Sequence, residues 1–254
     1  MTVSQPVGNP PSLSWPVVLL SSFVVLTGGA VLAYAGLSGL RGLPWFWLVT
    51  CALAEAGWIR LPDGRSTLSM GSIANFAAVL VLPLDQAMWC ATIACLAVES
   101  VVMRKPLPKA LYNCAGTAIV IALTSAVLHA VPSPAIGAGP AALFAALVMA
   151  AMTYYLCNRA LVIAVVALDQ RLTVAQVWHQ DFGLRRDAVP SAAALSLGVL
   201  LAHEYQGLGP LALVLLVLPA TLVLDAHRRS RPEGSSVATD GRRPGTTDDT
   251  QRAA

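Results

Sequence analysis

Asn158 and Arg159 stand side by side in an otherwise apolar run, TYYLCNRALVIAVV at 153–166. A guanidinium is permanently charged and carries five hydrogen-bond donors, more than one carboxylate can accept. Unpaired at the centre of a bilayer it costs at least about 2.5–3.5 kcal/mol on insertion scales, so its chemistry is to recruit a carboxylate, amide oxygens or water. Other polar residues interrupt apolar runs at comparable positions. Glu55 lies five residues before Arg60, Glu99 five before Arg104, and Asn113 four after Lys109. Asn75 lies ten residues after Arg65, and Arg159 ten before Asp169. Measured inward from a helix end, these depths are roughly 6 to 16 Å by the helical rise. Glu55, Asn75, Glu99, Asn113, Asn158 and Arg159 are therefore expected to form one polar layer in the inner half of a helical bundle. Arg159 is expected to pair with Glu99 or Glu55, the acidic residues well inside apolar runs, with Asn113 or Asn158 completing its hydrogen bonds. The plainer reading is that both glutamates snorkel to the interface and Arg159 alone is buried.

Other reactive residue types fit no site. His179 and Asp181 in WHQDF are two residues apart, on different helix faces. His203 and Glu204 lack the histidine that a zinc motif needs four residues after the first, where Gly207 stands. Cys51, Cys90, Cys95, Cys114 and Cys157 all lie in apolar runs without a paired-cysteine spacing, and read as small buried hydrophobes. No nucleophile elbow, phosphate-binding loop or dinucleotide fingerprint occurs. The expectation is no catalytic residue, no metal, no cofactor and no nucleic-acid partner.

The elements that must position the polar layer follow from composition. The chain has 254 residues, 56% of them hydrophobic and only 11% charged, with a mean hydropathy of +0.68. A soluble domain carries roughly a quarter charged residues. Here the apolar residues come in long blocks, and a backbone in lipid must satisfy its own hydrogen bonds, so the expected class is an all-α polytopic membrane bundle. Apolar blocks run over about 15–37, 44–59, 68–83, 86–103, 110–130, 141–168, 188–203 and 208–226. The second and third reach only about 24 Å, short for a hydrocarbon core of about 30 Å. Eight spans are expected, with six if those two blocks do not cross. The layout is then a disordered segment at 1–14, a membrane domain at 15–226 and a disordered cytoplasmic tail at 227–254.

With eight spans, one side receives Arg60, Arg65, Arg104, Lys105, Lys109, Arg171, Arg185, Arg186, Arg228, Arg229 and Arg231, and the other receives Arg41 alone. The excess places both termini in the cytoplasm of a cell membrane. The first 40 residues contain no Lys or Arg, so a charged leader region is not expected. In LDQRLTVAQVWHQDFGLRRDA (168–188), Val174, Val177, Trp178 and Phe182 recur at helical spacing among polar residues. That pattern predicts an amphipathic helix on the cytoplasmic surface, with Trp178 and Phe182 at headgroup level.

Several elements recur in one order: the R-L-P-x-G turn at 60–64, a Ser-containing helix ending at Pro83, Lys109-x-Leu111-x-Asn113, Asn158, and Trp178-x-x-x-Phe182. Over residues 40 to 226 this order resembles the multi-span membrane region that precedes HD-GYP or GGDEF domains in bacterial signalling proteins. The resemblance implies a sensor or scaffold signalling to a cytoplasmic partner. Neither an HD pair nor a GGDEF string occurs, so no catalytic residue carries over. The turn and its helix also look like substrate-binding subunits of energy-coupling-factor vitamin transporters. The expected function is thus a non-enzymatic membrane sensor module, the alternative a small-molecule binding or transport component with a transporter partner. The orientation is testable with single cysteines in a cysteine-free background. A cysteine at 136 should react with an impermeant reagent from outside, and one at 106 should not; the reverse would overturn the topology.

Overall fold

A computed structural model describes residues 14–60, 67–130, 139–183 and 187–212. The expectations for 1–13, for the turn at 61–66, for the connection at 131–138, for the eighth apolar block beyond 212 and for the tail lie outside the described residues. The described chain is helical apart from one short ribbon. Its elements are α1 Trp15–Ala35, α2 Ser38–Arg41, α3 Trp45–Ala56, β1 Trp58–Arg60, β2 Thr67–Ser69, α4 Gly71–Val81 and α5 Leu84–Ala97. A π-helix at Val98–Val102 comes next, then α6 Leu107–Ala130, α7 Pro140–Gln170, α8 Val174–Asp181 and α9 Val189–Leu208. The strands pair antiparallel, with Trp58 opposite Ser69 and Arg60 opposite Thr67.

Four of the described helices are long and apolar enough to cross a membrane: α1, α5 with its π-helical extension, α6 and α7. By length and composition, the expected count of eight, or of six, is thus not confirmed among the described residues. The physical reason is local. Helices α3 and α4 have 12 and 11 residues, about 18 Å or less by helical rise. Gly57 and the ribbon end the first and Pro83 bounds the second. Helix α9 has the length, but it ends in the polar run His203–Gln206.

The short helices lie inside. Every residue of α4 from Ile73 to Val79 is buried, against α9 on one side and α3 on the other. Phe76, Val120, Ala150, Tyr154 and Leu195 form a core shared by α4, α6, α7 and α9. Phe76 and Tyr154 meet edge to face, with ring centroids 5.6 Å apart. Helix α1 is peripheral: Trp15, Leu19, Phe23 and Leu26 are exposed, while Val24 packs with Tyr112 and Ala115 of α6.

Small residues set the closest approaches, as is usual where lipid supplies no hydrophobic drive between helices. A Cβ on Gly28 would come within 2.7 Å of the Ala115 backbone, whereas one on the neighbouring Gly29 would meet nothing within 4 Å. Gly28→Ala should therefore destabilise the protein by about 1–3 kcal/mol through overpacking. Gly29→Ala should be neutral or slightly stabilising, because alanine is the better helix former. Reversible unfolding in mixed micelles compares the two; equal effects would contradict the α1–α6 packing.

Candidate functional site

Helix α7 carries Tyr154, Tyr155, Asn158 and Arg159, and the chain then doubles back along it. Arg171 ends the helix in a left-handed conformation, φ 55°. Thr173 opens α8 with a capping box: its hydroxyl accepts from the Gln176 N–H, and the Gln176 side chain accepts from the Thr173 N–H. Val177 is fully buried against Ile163 and Ala167 of α7, one and two turns beyond Arg159. Trp178 and Phe182 stack at 6.2 Å. The expected amphipathic segment is thus a real helix, but its apolar edge is turned onto α7.

This return path delivers a partner to Arg159. The guanidinium meets Asp187 as a fork, Nη2 to Oδ1 at 2.6 Å and Nε to Oδ2 at 2.7 Å. Nη2 also donates to Ser191 Oγ at 3.2 Å, and the Tyr155 hydroxyl donates to Asp187 Oδ2 at 2.9 Å. Phe182 and Tyr155 place their rings 5.6 and 5.8 Å from the guanidinium carbon, within cation–π range. A small cleft opens beside this cluster, lined by Ser72, Tyr154, Asn158, Arg159 and Ser191 among others. Its volume is about 10 Å³, on the order of one water.

A second cluster lies where α3, α5, the π-helix and α6 converge. Glu99, on the π-helix, is buried. It forms an ion pair with Lys105 and accepts from Asn113 Nδ2 on both oxygens, at 2.8 and 2.7 Å. The Lys105 backbone N–H also returns to the Glu99 carbonyl at 2.9 Å. Glu55 approaches the same place from α3, with Glu99 and Lys105 as its charged neighbours. Cys95, one turn before Glu99, is hydrogen-bonded to Cys114. The carboxylate oxygens of Glu55 and Glu99 and the Cys95 sulfur all lie within 4.8 Å of one another.

The expected single layer is therefore two clusters. Arg159 is held neither by Glu99 nor by Glu55 but by Asp187, and Asn113 serves Glu99 instead. The reason is topological. Asp187 lies outside every apolar run, and α8 carries the chain back down α7 to the level of Arg159. Asn158 lines the cleft beside Arg159. Asn75 is buried and bonds the Tyr154 hydroxyl together with Ser72, close enough to Glu55 for its charge to act on Tyr154. Asp187, Ser191, Tyr155 and Lys105 were not expected. The T-x-x-Q capping signal at 173–176 was available, and it marks where the chain turns back.

The pairing predicts a thermodynamic cycle. Arg159→Ala, Asp187→Ala and the double variant should show a coupling of about 0.5–3 kcal/mol, because the groups are in contact. Arg159→Ala with Glu99→Gln should instead be additive to within about 0.5 kcal/mol. Unfolding by detergent titration reads both cycles; strong coupling only in the second would restore the Glu99 pairing.

Residues 45–222, most of the chain, match the MASE9 family of membrane-associated sensor domains. No curated protein and no solved structure matches the chain. The matched span takes in both polar clusters and every described element from α3 to α9. By that match the chain belongs to the MASE9 family and is a membrane sensor region.

Proposed function

We propose that the chain is a multi-pass membrane sensor module without catalytic activity of its own, which passes its state to a separate cytoplasmic protein. Family membership is the observation that carries this reading. The Arg159–Asp187 fork supports a route for the signal. It ties α7, which crosses the bundle, to the start of α9 and holds α8 in its return path. Weakening the fork releases α8, whose Val174, Gln176, His179 and Gln180 lie at its surface and are available to a partner. The order of motifs resembling regions that precede HD-GYP or GGDEF domains suggests a partner that makes or degrades a cyclic dinucleotide. The asymmetry of basic residues supports both termini and the loop at 103–106 facing the bacterial cytoplasm.

The alternative is a small-molecule binding or transport component. The cleft beside Arg159 holds about one water and offers it little support. A strain carrying Arg159→Ala at the native locus, with membrane levels matched to wild type, should change cellular cyclic-dinucleotide content in the same direction as deletion of the gene. Purified protein in liposomes should move no solute. An unchanged content on deletion, together with uptake by the proteoliposomes, would overturn the sensor reading in favour of transport.

A further inference from the structure

We propose that Glu55, Cys95 and Glu99 form a binding site for a divalent transition-metal cation of borderline softness, such as Zn²⁺, and that Lys105 is the tethered counter-ion this metal displaces. The donor set selects the class of cation. Two carboxylates and a thiol mix hard and soft ligands; Ca²⁺ and Mg²⁺ take oxygen alone, and Cu⁺ favours sulfur. The ligand atoms lie within 4.8 Å of one another. A tetrahedral zinc site with metal–ligand bonds of about 2.0–2.3 Å separates its ligands by roughly 3.5 Å. The closure needed is about 1 Å, within reach of side-chain rotation. Cys114 of α6 is hydrogen-bonded to Cys95 and neighbours the site. The three donors come from α3, α5 and the π-helix, so a shared ion would fasten these elements together.

The cluster gathers two carboxyl groups and one ammonium in a buried setting. Among the described residues, Glu55 has neither a hydrogen bond nor an ion pair and faces Glu99 and Lys105. Binding forms two metal–oxygen bonds and one metal–sulfur bond. It breaks the Cys95 S–H bond, whose proton leaves to solvent, and the Lys105–Glu99 ion pair. No electron is transferred. The ion adds two positive charges, and each proton released to solvent, from Cys95 or from the Glu55 carboxyl, removes one. Asn113 stays on Glu99 as the outer hydrogen bond that orients a ligating carboxylate.

The loop is built to yield. Lys105 is the more exposed member of its pair, with 23% of its side chain accessible against 3% for Glu99. It follows Arg104, which has φ 51°, and a π-helix, a form often found at functional sites. Displacement of the ammonium breaks its side-chain pair with Glu99 and so changes the charge environment of the basic loop at 103–106, a cation-dependent output. This names a ligand for the sensor, but binding is read on the purified protein and stands or falls apart from signalling.

The test is titration of the reduced, chelator-treated protein in detergent with Co²⁺ alone. Wild type should bind one ion and develop a sulfur-to-cobalt charge-transfer band. Cys95→Ser should abolish the band, and Glu55→Gln should weaken binding by about 10- to 100-fold, at least as much as losing an outer-shell partner. Lys105→Met should tighten it, because the competing ammonium is gone. Size exclusion and unfolding of each variant check the fold, and Cys114→Ser, which keeps the three primary donors, should retain the band in weakened form. Binding that survives both Cys95→Ser and Glu55→Gln, or no binding by a folded wild type, would overturn the site. Unchanged affinity in Lys105→Met would overturn the displacement.

Discussion

A permanent cation fixed in the middle of a 31-residue apolar helix constrains the path of the chain beyond that helix. Arg159 cannot lose its charge, and a lone guanidinium in a low-dielectric bundle is costly. The chain answers with a bidentate carboxylate, a hydroxyl and two aromatic faces. Each of these except Tyr155 comes from beyond the end of α7. The return of α8 along α7, the buried Val177 and the placement of α9 are thus linked to one ion pair. Helix α9 in turn packs on α4 through Gly198, where a Cβ would come within 2.9 Å of the Ile73 carbonyl oxygen.

The second charged centre obeys the same rule with different chemistry. Glu99 is among the most deeply buried polar residues of the described chain, yet its partners are local: Lys105 six residues on and Asn113 fourteen residues on. A regular α-helix through Val98–Val102 would present Glu99 differently; the π-helix adds a residue to the turn and so rotates the helix end that leads into Lys105. Tyr154, bonded to Ser72 and Asn75 and within the field of Glu55, stands between this centre and Arg159.

The helical membrane class, the shortness of the second and third apolar blocks, the amphipathic helix near Trp178 and the sensor-like order of motifs were legible in the sequence. Composition and block length carry these features, and they are properties of contiguous residues. Pairing was harder to see. Glu55 and Glu99 looked like the partners of Arg159 because depth was counted along each run from its nearest basic end. That count has no information about a segment that leaves the bundle and comes back. Asp187, directly after Arg185 and Arg186, reads in one dimension as surface charge. Cys95 likewise reads as a small hydrophobe until α3 and the π-helix bring it beside two carboxylates. The count of crossings suffered from a related ambiguity, since α4 is apolar on all sides because protein, rather than lipid, surrounds it.

The length of α7 has a further consequence. At 31 residues it extends about 46 Å, against a hydrocarbon core of about 30 Å. Such a helix must tilt, project beyond the core, or do both. From Pro140 to Arg159 the rise is about 29 Å, nearly one core thickness. With Pro140 at one boundary of the hydrocarbon, an upright α7 brings Arg159 to the opposite boundary. The apolar stretch Ala160–Leu168 then stands past it, sheathed by α8. In that geometry the fork with Asp187 closes the α7–α8 hairpin at the edge of the hydrocarbon rather than at its centre.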